Sequence, residues 1–256
     1  MTDLLNLDFT KKENQIVDFI KSTFKQQAFQ KGIIAVSGGL DSAVSLTLAV
    51  KALSKENIFT LQLPYKRQSV ENSNLIIKTT AIPSNQRLII KLSRSVDKLA
   101  VKLNAKKHQL RFANLLARAR MICLFDQAKK NKALVIGTEN KSENLLGYFT
   151  RFGDAASDIE PLSHLYKTQV IHLAKHLGIS EAIINQPPSA DLWPGQTDEA
   201  ELDFSYQQAD PIIHLLYDKQ LSPSAVINQG FSEALVKKVQ TRLQAFEFKL
   251  NVPYHL

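Results

Sequence analysis

Hydrophobic positions along the chain follow two alternating rhythms. Between residues 11 and 29, Ile16, Val17, Phe19, Ile20 and Phe24 fall at helical spacing among lysines and acids, which predicts an amphipathic helix. A short continuous run, Ile33-Ile34-Ala35-Val36, follows. Its length and β-branching predict a buried strand. After a polar turn, a helix is predicted to about Leu53. Asn57 to Leu63 predicts a second strand, stopped by Pro64, because proline has no N–H to give a ladder. Residues 69–81 suit a helix, Arg87 to Leu92 a third strand, 94–104 and 109–130 two helices, and Ala133 to Ile136 a short fourth strand. Strands alternating with helices predict an α/β fold built on a parallel, doubly wound sheet.

Beyond residue 138 the pattern weakens. Residues 138–164 are polar and turn-rich, and a helix over 165–177 ends at Gly178. Residues 186–205 hold Pro187-Pro188, Trp193-Pro194-Gly195 and several acids. A loop of that length suits a lid over a site. Helices are predicted over 206–218, 223–228 and 231–248. With no internal repeat and no linker, residues 1–256 read as a single domain.

The chain has 256 residues, 44% hydrophobic and 22% charged, an ordinary composition for one large soluble domain. No apolar run reaches the roughly 18–20 residues of a membrane span. Met1-Thr2-Asp3-Leu4-Leu5 lacks the basic region and apolar block of a signal peptide. The single cysteine, Cys123, excludes an internal disulfide and a cysteine-built zinc site. A cytoplasmic location without membrane association is the expectation. The net charge of +8 is uneven: residues 51–130 carry 17 Lys and Arg against 4 acids, and residues 131–256 carry 10 against 15. The basic segment fits an anionic partner or a solvated face. Without stacking aromatics beside it, no nucleic acid is expected as partner.

Candidate chemistry begins at Ser37-Gly38-Gly39-Leu40-Asp41-Ser42, between the first strand and its helix. Strand, glycine turn and helix N-terminus put free N–H groups and a positive dipole end together, which suits phosphate. The two glycines permit close backbone approach, and the hydroxyls of Ser37 and Ser42 add donors. Asp41 beside phosphates reads as a ligand for Mg²⁺. A tight connection without a ligand is the alternative. The Lys-Ser/Thr pair of a Walker loop is missing. The loop resembles the SGGxDS loop of the ATP pyrophosphatases, which cleave ATP to AMP and pyrophosphate.

A second polar cluster, Gly137-Thr138-Glu139-Asn140-Lys141-Ser142-Glu143, follows the fourth strand. In a doubly wound sheet, ligands bind at the carboxyl ends of strands, so both clusters are expected to face one pocket. After it come Gly147-Tyr148-Phe149-Thr150-Arg151-Phe152-Gly153-Asp154, Asp158-Ile159-Glu160-Pro161-Leu162, Pro188-Ser189-Ala190-Asp191-Leu192 and Gly195-Gln196-Thr197-Asp198-Glu199. With Asn114-Leu115-Leu116-Ala117-Arg118-Ala119-Arg120-Met121, this ordered set resembles the NAD synthetases.

The resemblance implies a Rossmann-like fold of the ATP pyrophosphatase type and a C–N ligase. In that reaction the nicotinate carboxylate of deamido-NAD attacks the α-phosphate of ATP, and ammonia then displaces AMP to give NAD. It implies Asp41 and Glu143 as Mg²⁺ ligands. Ser37, Gly38, Gly39, Leu40, Ser42, Lys167 and Ser189 would lie along the ATP phosphates, and Thr138 and Gln68 along the adenylate. Asn114, Arg118, Tyr148, Arg151, Asp154, Asp158 and Lys249 would hold deamido-NAD, with Asp154 near the reacting end. As bare sequence, Lys167 also fits a surface lysine, Ser189 a turn cap and Tyr148 a core position. Arg120 is expected to point away from Asn114 and Arg118, which lie four apart on one helix face.

Three positions depart from the family's usual pattern: Ala155-Ala156 where two glycines are usual, Phe248-Lys249-Leu250 in place of His-Lys-Arg, and Gln62 for arginine. Glutamine-using relatives add an amidase domain with a nucleophilic cysteine. No such domain is expected here, and Cys123 reads as buried and inert, so free ammonia is the implied nitrogen donor. A homodimer is implied, with the apolar helix 109–128 as an interface element. Two alternatives stay open: another ATP pyrophosphatase that forms amides or modifies RNA, and a non-catalytic nucleotide-binding dimer.

Overall fold

In the computed structural model, which describes residues 5–193 and 195–254, four parallel strands form one sheet in the order β3-β2-β1-β4. These are β1 (Lys31–Ala35), β2 (Ile58–Gln62), β3 (Arg87–Ile89) and β4 (Ala133–Val135). Residues 1–4 at the expected leaderless start, Pro194 of the expected lid, and residues 255–256 lie outside the described residues. In register, Ile33 faces Phe59 of β2 and Val135 of β4. A parallel bridge from Ile136 to Ile159 carries the sheet one position farther.

Successive side chains of β1 enter opposite layers, as the period-2 pleat dictates. Ile34 and Val36 pack with α1 (Phe9–Gln26), α2 (Leu40–Leu53) and α7 (Lys167–His176). Ile33 packs with Val96 of α4 (Ser93–Lys102) and Leu116 and Leu124 of α5 (Gln109–Asn131). The doubly wound α/β architecture expected from the pattern is present. A third cluster unites α10 (Tyr206–Ile213), α11 (Pro223–Asn228) and α12 (Glu233–Phe246) through Ile212, Val226, Val236 and Val239.

Several element boundaries differ from the sequence reading. The third strand stops at Ile89 instead of Leu92, although the Ile90 and Leu92 N–H groups still donate to the carbonyls of Gln62 and Pro64. The polar stretch after residue 138 contains a short helix, α6 (Lys141–Leu145), started by an Asn140–Glu143 capping box. The helix expected from 165 starts at Lys167. Pro211 lies inside α10, and residues 214–218 widen into a π turn, so the helix expected over 206–218 is interrupted. Other helices are α3 (Glu71–Thr79), α8 (Glu181–Ile184) and α9 (Asp198–Leu202), the last of which interrupts the expected lid. Among the described residues no helix is long and apolar enough to cross a membrane.

Candidate active site

The strand order reverses direction between β1 and β4, and both polar clusters lie at their carboxyl ends. This is the switch-point crevice where doubly wound sheets bind ligands. Gly38 adopts φ +100°, and a Cβ there would stand 3.1 Å from the Ser73 backbone nitrogen. Both facts favour glycine. Gly39 caps α2, and its N–H donates to Ser37 Oγ at 3.2 Å. Ser42 Oγ donates to the Gly39 carbonyl at 2.8 Å. Leu40 is buried at the base of the loop.

Asp41 begins α2 and Glu143 sits in the first turn of α6, yet one cation joins them. Lys167 Nζ donates to Asp41 Oδ2 and, at 3.0 Å, to Glu143 Oε1. Lys167 is 3% exposed, so the surface reading of this lysine is excluded. Burial opposes its charge, but Asp41 and Glu143 outweigh that and hold the ammonium above its usual range. Burial pushes Glu143 upward, against the pull of Lys167 and with Asp41 adding to the rise. Asp198 stands beside this group. Its Oδ2 accepts from Tyr206 at 3.0 Å, while its buried Oδ1 has no partner.

Asn140 was not singled out from the sequence, although the Asn-x-x-Glu spacing marks it. It is fully buried, accepts from the Glu143 N–H at 3.0 Å, and donates through Nδ2 to Asp41 Oδ1 at 3.0 Å. Glu139 and Glu160 are also additions. The Glu139 N–H donates to Glu160 Oε2 at 3.0 Å, and Ser157 Oγ donates to Glu160 Oε1 at 2.7 Å. Gly137 makes room, because a Cβ there would lie 1.9 Å from the Glu160 carboxylate. Burial and the Glu160 charge push Glu139 up to about 9, and burial pushes Glu160 up to about 7. Thr138, between Gly137 and Glu139 in the chain beyond β4, is half-buried.

The residues expected for the dinucleotide meet at the segment after α6. Thr150 Oγ1 donates to Asn114 Oδ1 at 2.9 Å, and the Thr150 N–H donates to Asp154 Oδ1 at 3.0 Å. Asp154 is exposed, yet desolvation by the surrounding protein raises its pKa against the pull of the Thr150 N–H. Arg118 Nε donates to the Arg151 carbonyl at 3.2 Å. Lys249 ties the C-terminal turn to this segment through the carbonyls of Gly147 (2.6 Å) and Phe149 (2.8 Å). Asp158 instead accepts from the Val135 N–H at 2.7 Å, at the end of β4.

Tyr148 is half-buried, and its hydroxyl donates to Glu201 at 2.8 Å. Ser189 closes the lid turn by donating to the Gln196 carbonyl at 2.7 Å. Gln68 is engaged by the Tyr65 N–H, Arg120 and Asp191.

The family departures have structural accounts. Neither Ala155 nor Ala156 has a positive φ; the turn takes its left-handed residue at Phe152, φ 58°. Phe248 lies under the Arg151 guanidinium, 5.2 Å from it, and stacks on Phe246. Gln62 donates to Ser73 and Asn74, fastening α3 to β2. Cys123 is half-buried instead of buried, and desolvation raises its pKa.

Comparison with known proteins agrees along the whole chain. The family model for NAD synthase matches residues 12–253. An NH(3)-dependent NAD(+) synthetase of Chlorobaculum tepidum is 38% identical over 253 residues, covering 97% of this chain and 90% of the relative. The Pyrococcus furiosus protein of the same name is 38% identical over 249 residues, covering 96% and 94%. Among solved structures, an NMN synthetase from Francisella tularensis superposes with a TM-score of 0.83 at 29% identity, covering 98% of this chain and 99% of that one. The NH3-dependent NAD synthetase of Campylobacter jejuni gives 0.82 at 29% identity, covering 98% and 100%. The chain therefore belongs to the NAD synthase family.

Proposed function

We propose that the chain is an ammonia-dependent NAD synthetase, a ligase that uses ATP to convert the nicotinate carboxylate of deamido-NAD into the amide. The observation that carries this reading is the shared crevice: a glycine-rich anion loop and the buried Asp41–Lys167–Glu143 group open at one switch point in a member of this family. A carboxylate resists attack by ammonia because its charge repels the nucleophile and oxide is a poor leaving group. Adenylation removes both obstacles. The carboxylate oxygen bonds to the α-phosphorus and pyrophosphate leaves. Ammonia then adds to the acyl carbon, and AMP leaves with that oxygen.

Each part of the crevice suits a part of that sequence. The N–H groups and hydroxyls of residues 37–42 receive phosphate oxygens, with Lys167 and Ser189 beside them and Thr138 toward the adenylate. Asp41 and Glu143 fit a divalent cation, because both already share one ammonium. Among the described residues no group of three or more His, Cys, Asp or Glu side chains is arranged for a metal, so phosphate oxygens and water would complete the shell, as is usual for Mg²⁺. Bound there, Mg²⁺ supplies charge neutralisation to the triphosphate. Asn114, Arg118, Tyr148, Arg151, Asp158 and Lys249 hold the dinucleotide or the segment that meets it. Asp154 takes a proton from bound ammonium and so frees the ammonia that attacks. Leu110 and Ile122 leave apolar surface on α5, which supports a homodimer. The substrates and Cys123 fit a cytoplasmic enzyme.

The test is a steady-state assay of purified protein with deamido-NAD, Mg-ATP and ammonium chloride, following NAD and AMP. NAD should form with ammonium and not with glutamine, and should be lost in Asp41→Ala and Glu143→Ala. Because the Francisella relative is an NMN synthetase, nicotinic acid mononucleotide runs as a second acid. No amide from either acid would reject the proposal.

A further inference from the structure

Asp210 of α10 is a fully buried carboxylate for which the chemistry above has no use. The donors that it accepts from belong to the first turns of two helices, α6 and α7. Ser142 Oγ donates to Asp210 Oδ1 at 2.6 Å. The Thr168 N–H donates to Asp210 Oδ2 at 2.9 Å, and Thr168 Oγ1 donates to the same oxygen at 2.8 Å. Ser142 precedes Glu143 in α6, and Thr168 follows Lys167 in α7. A further bond joins the two helix starts directly: the Lys167 N–H donates to Ser142 Oγ at 2.8 Å. Burial pushes the Asp210 pKa up, against the pull of the Ser142 and Thr168 donors and of the Lys167 charge. Asp218, in the π turn beyond α10, grips the neighbouring side chains from an exposed position. It accepts from Lys141 Nζ at 2.5 Å and from the Tyr166 hydroxyl at 3.0 Å.

We infer that Asp210 is a positioning residue: through Ser142 and the Thr168 N–H it locks the starts of α6 and α7 together, and so holds Glu143 and Lys167 where Lys167 can join Glu143 to Asp41. The first N–H groups of a helix have no partner inside it. For Lys167 and Thr168 the partners are Ser142 and Asp210, so the start of α7 is fixed from outside. A carboxylate only accepts hydrogen bonds, whereas a hydroxyl both donates and accepts. With its proton committed to Asp210, Ser142 turns a lone pair to the Lys167 N–H. Asp210 therefore sets the direction of the relay. The C-terminal helices take part in the site in this way without lining it. That the geometry so held serves adenylation rests on the proposed synthetase activity; the lock itself does not.

Amide hydrogen exchange, read residue by residue by NMR, tests the lock without any substrate. Ser142→Ala should speed exchange at Lys167 about tenfold, as one lost hydrogen bond allows. Asp210→Ala should speed it at both Lys167 and Thr168. Leu173 and Ala174, inside α7, should keep their wild-type rates in both variants. Asp218→Ala should leave the Lys167 and Thr168 amides protected, because neither donates to Asp218. In turnover, the kcat of Asp210→Ala should fall about 100-fold, the cost of a misplacement of roughly 1 Å. The KM for deamido-NAD should hold, since its residues lie on the segment after α6. Adding Ser142→Ala should cost little more, because both residues act through one relay. Asp210→Asn keeps the volume and one acceptor oxygen, so it should recover part of the lost kcat. If Asp210→Ala does not fold, Ser142→Ala carries the test, since it removes a single atom. A Lys167 amide still protected in Ser142→Ala would overturn the inference. So would equal loss of protection in Asp218→Ala, or a wild-type kcat in a variant whose amides are freed. A wild-type protein that makes no NAD would sink the synthetase reading, and the exchange rates would then decide the lock alone.

Discussion

Asn140 Nδ2 donates to Asp41 Oδ1 at 3.0 Å. The residue that caps α6 therefore also holds the first acid of α2, and the two strand ends are locked into one site. Asn140→Ala should cost about 1 kcal/mol through the lost cap and leave Asp41 held by Lys167 alone. Thermal unfolding should show a small drop in Tm, while kcat falls far more than that drop accounts for. Asn140→Asp would keep the cap but set a like charge against Asp41, so its kcat should fall further still.

Lys167 neutralises two buried acids. Lys167→Ala should destabilise the protein by about 3–5 kcal/mol, the range for breaking a buried ion pair. Millimolar MgCl₂ should then raise the Tm of the variant more than that of the wild type, because the two carboxylates lack their own cation. Equal shifts in both proteins would argue against Asp41 and Glu143 as metal ligands.

Glu139 and Glu160 set a pH dependence. Both carboxyls have folded-state pKa values above their usual 4.5, near 9 and near 7. The folded protein then holds more protons than the unfolded chain across this window. Their contribution to stability is full below about pH 4.5 and is lost as the pH rises through 7 and 9. Tm measured from pH 5 to pH 9 should fall, and the Glu139→Gln/Glu160→Gln variant should fall less.

Gly38→Ala should fold less stably by about 1–2 kcal/mol, because a side chain resists positive φ. It should also bind ATP more weakly, since the new methyl presses against Ser73 and shifts the loop. Equilibrium binding of ATP by calorimetry checks this. The oxidation-resistant Cys123→Ala should retain ammonium-dependent activity in full, in keeping with a thiol whose pKa is raised.

The sheet and its order of elements were legible because short apolar runs alternate with helical-period stretches from Ile16 to Val135. The loop at Ser37–Ser42 was legible from its glycines, and Glu143 from the resemblance of the cluster after the fourth strand to the NAD synthetases. Lys167 was expected at the phosphates from the family resemblance alone, because its burial depends on two acids 126 and 24 positions away. Arg120 turns away from Asn114 and Arg118 as expected, but among the described residues it meets a carbonyl and an amide rather than an acid. Helical spacing separates it from Arg118, but spacing cannot say that the other face meets Leu63 and Gln68. Glu139 and Glu160 carry no local mark, since the parallel bridge that joins their segments, Ile136 to Ile159, is long-range. The π turn at 214–218 follows Pro211, whose effect on hydrogen bonding was visible only as a proline inside a helical pattern.

The most direct test of the account is the fate of the carboxylate oxygens. Deamido-NAD labelled with ¹⁸O in its nicotinate carboxylate is turned over with unlabelled Mg-ATP and ammonium, and the products are read by mass spectrometry. The account predicts one ¹⁸O in the phosphate of AMP, one in the NAD amide and none in pyrophosphate. Unlabelled AMP, or label in orthophosphate with ADP as the other product, would contradict activation through an acyl-adenylate.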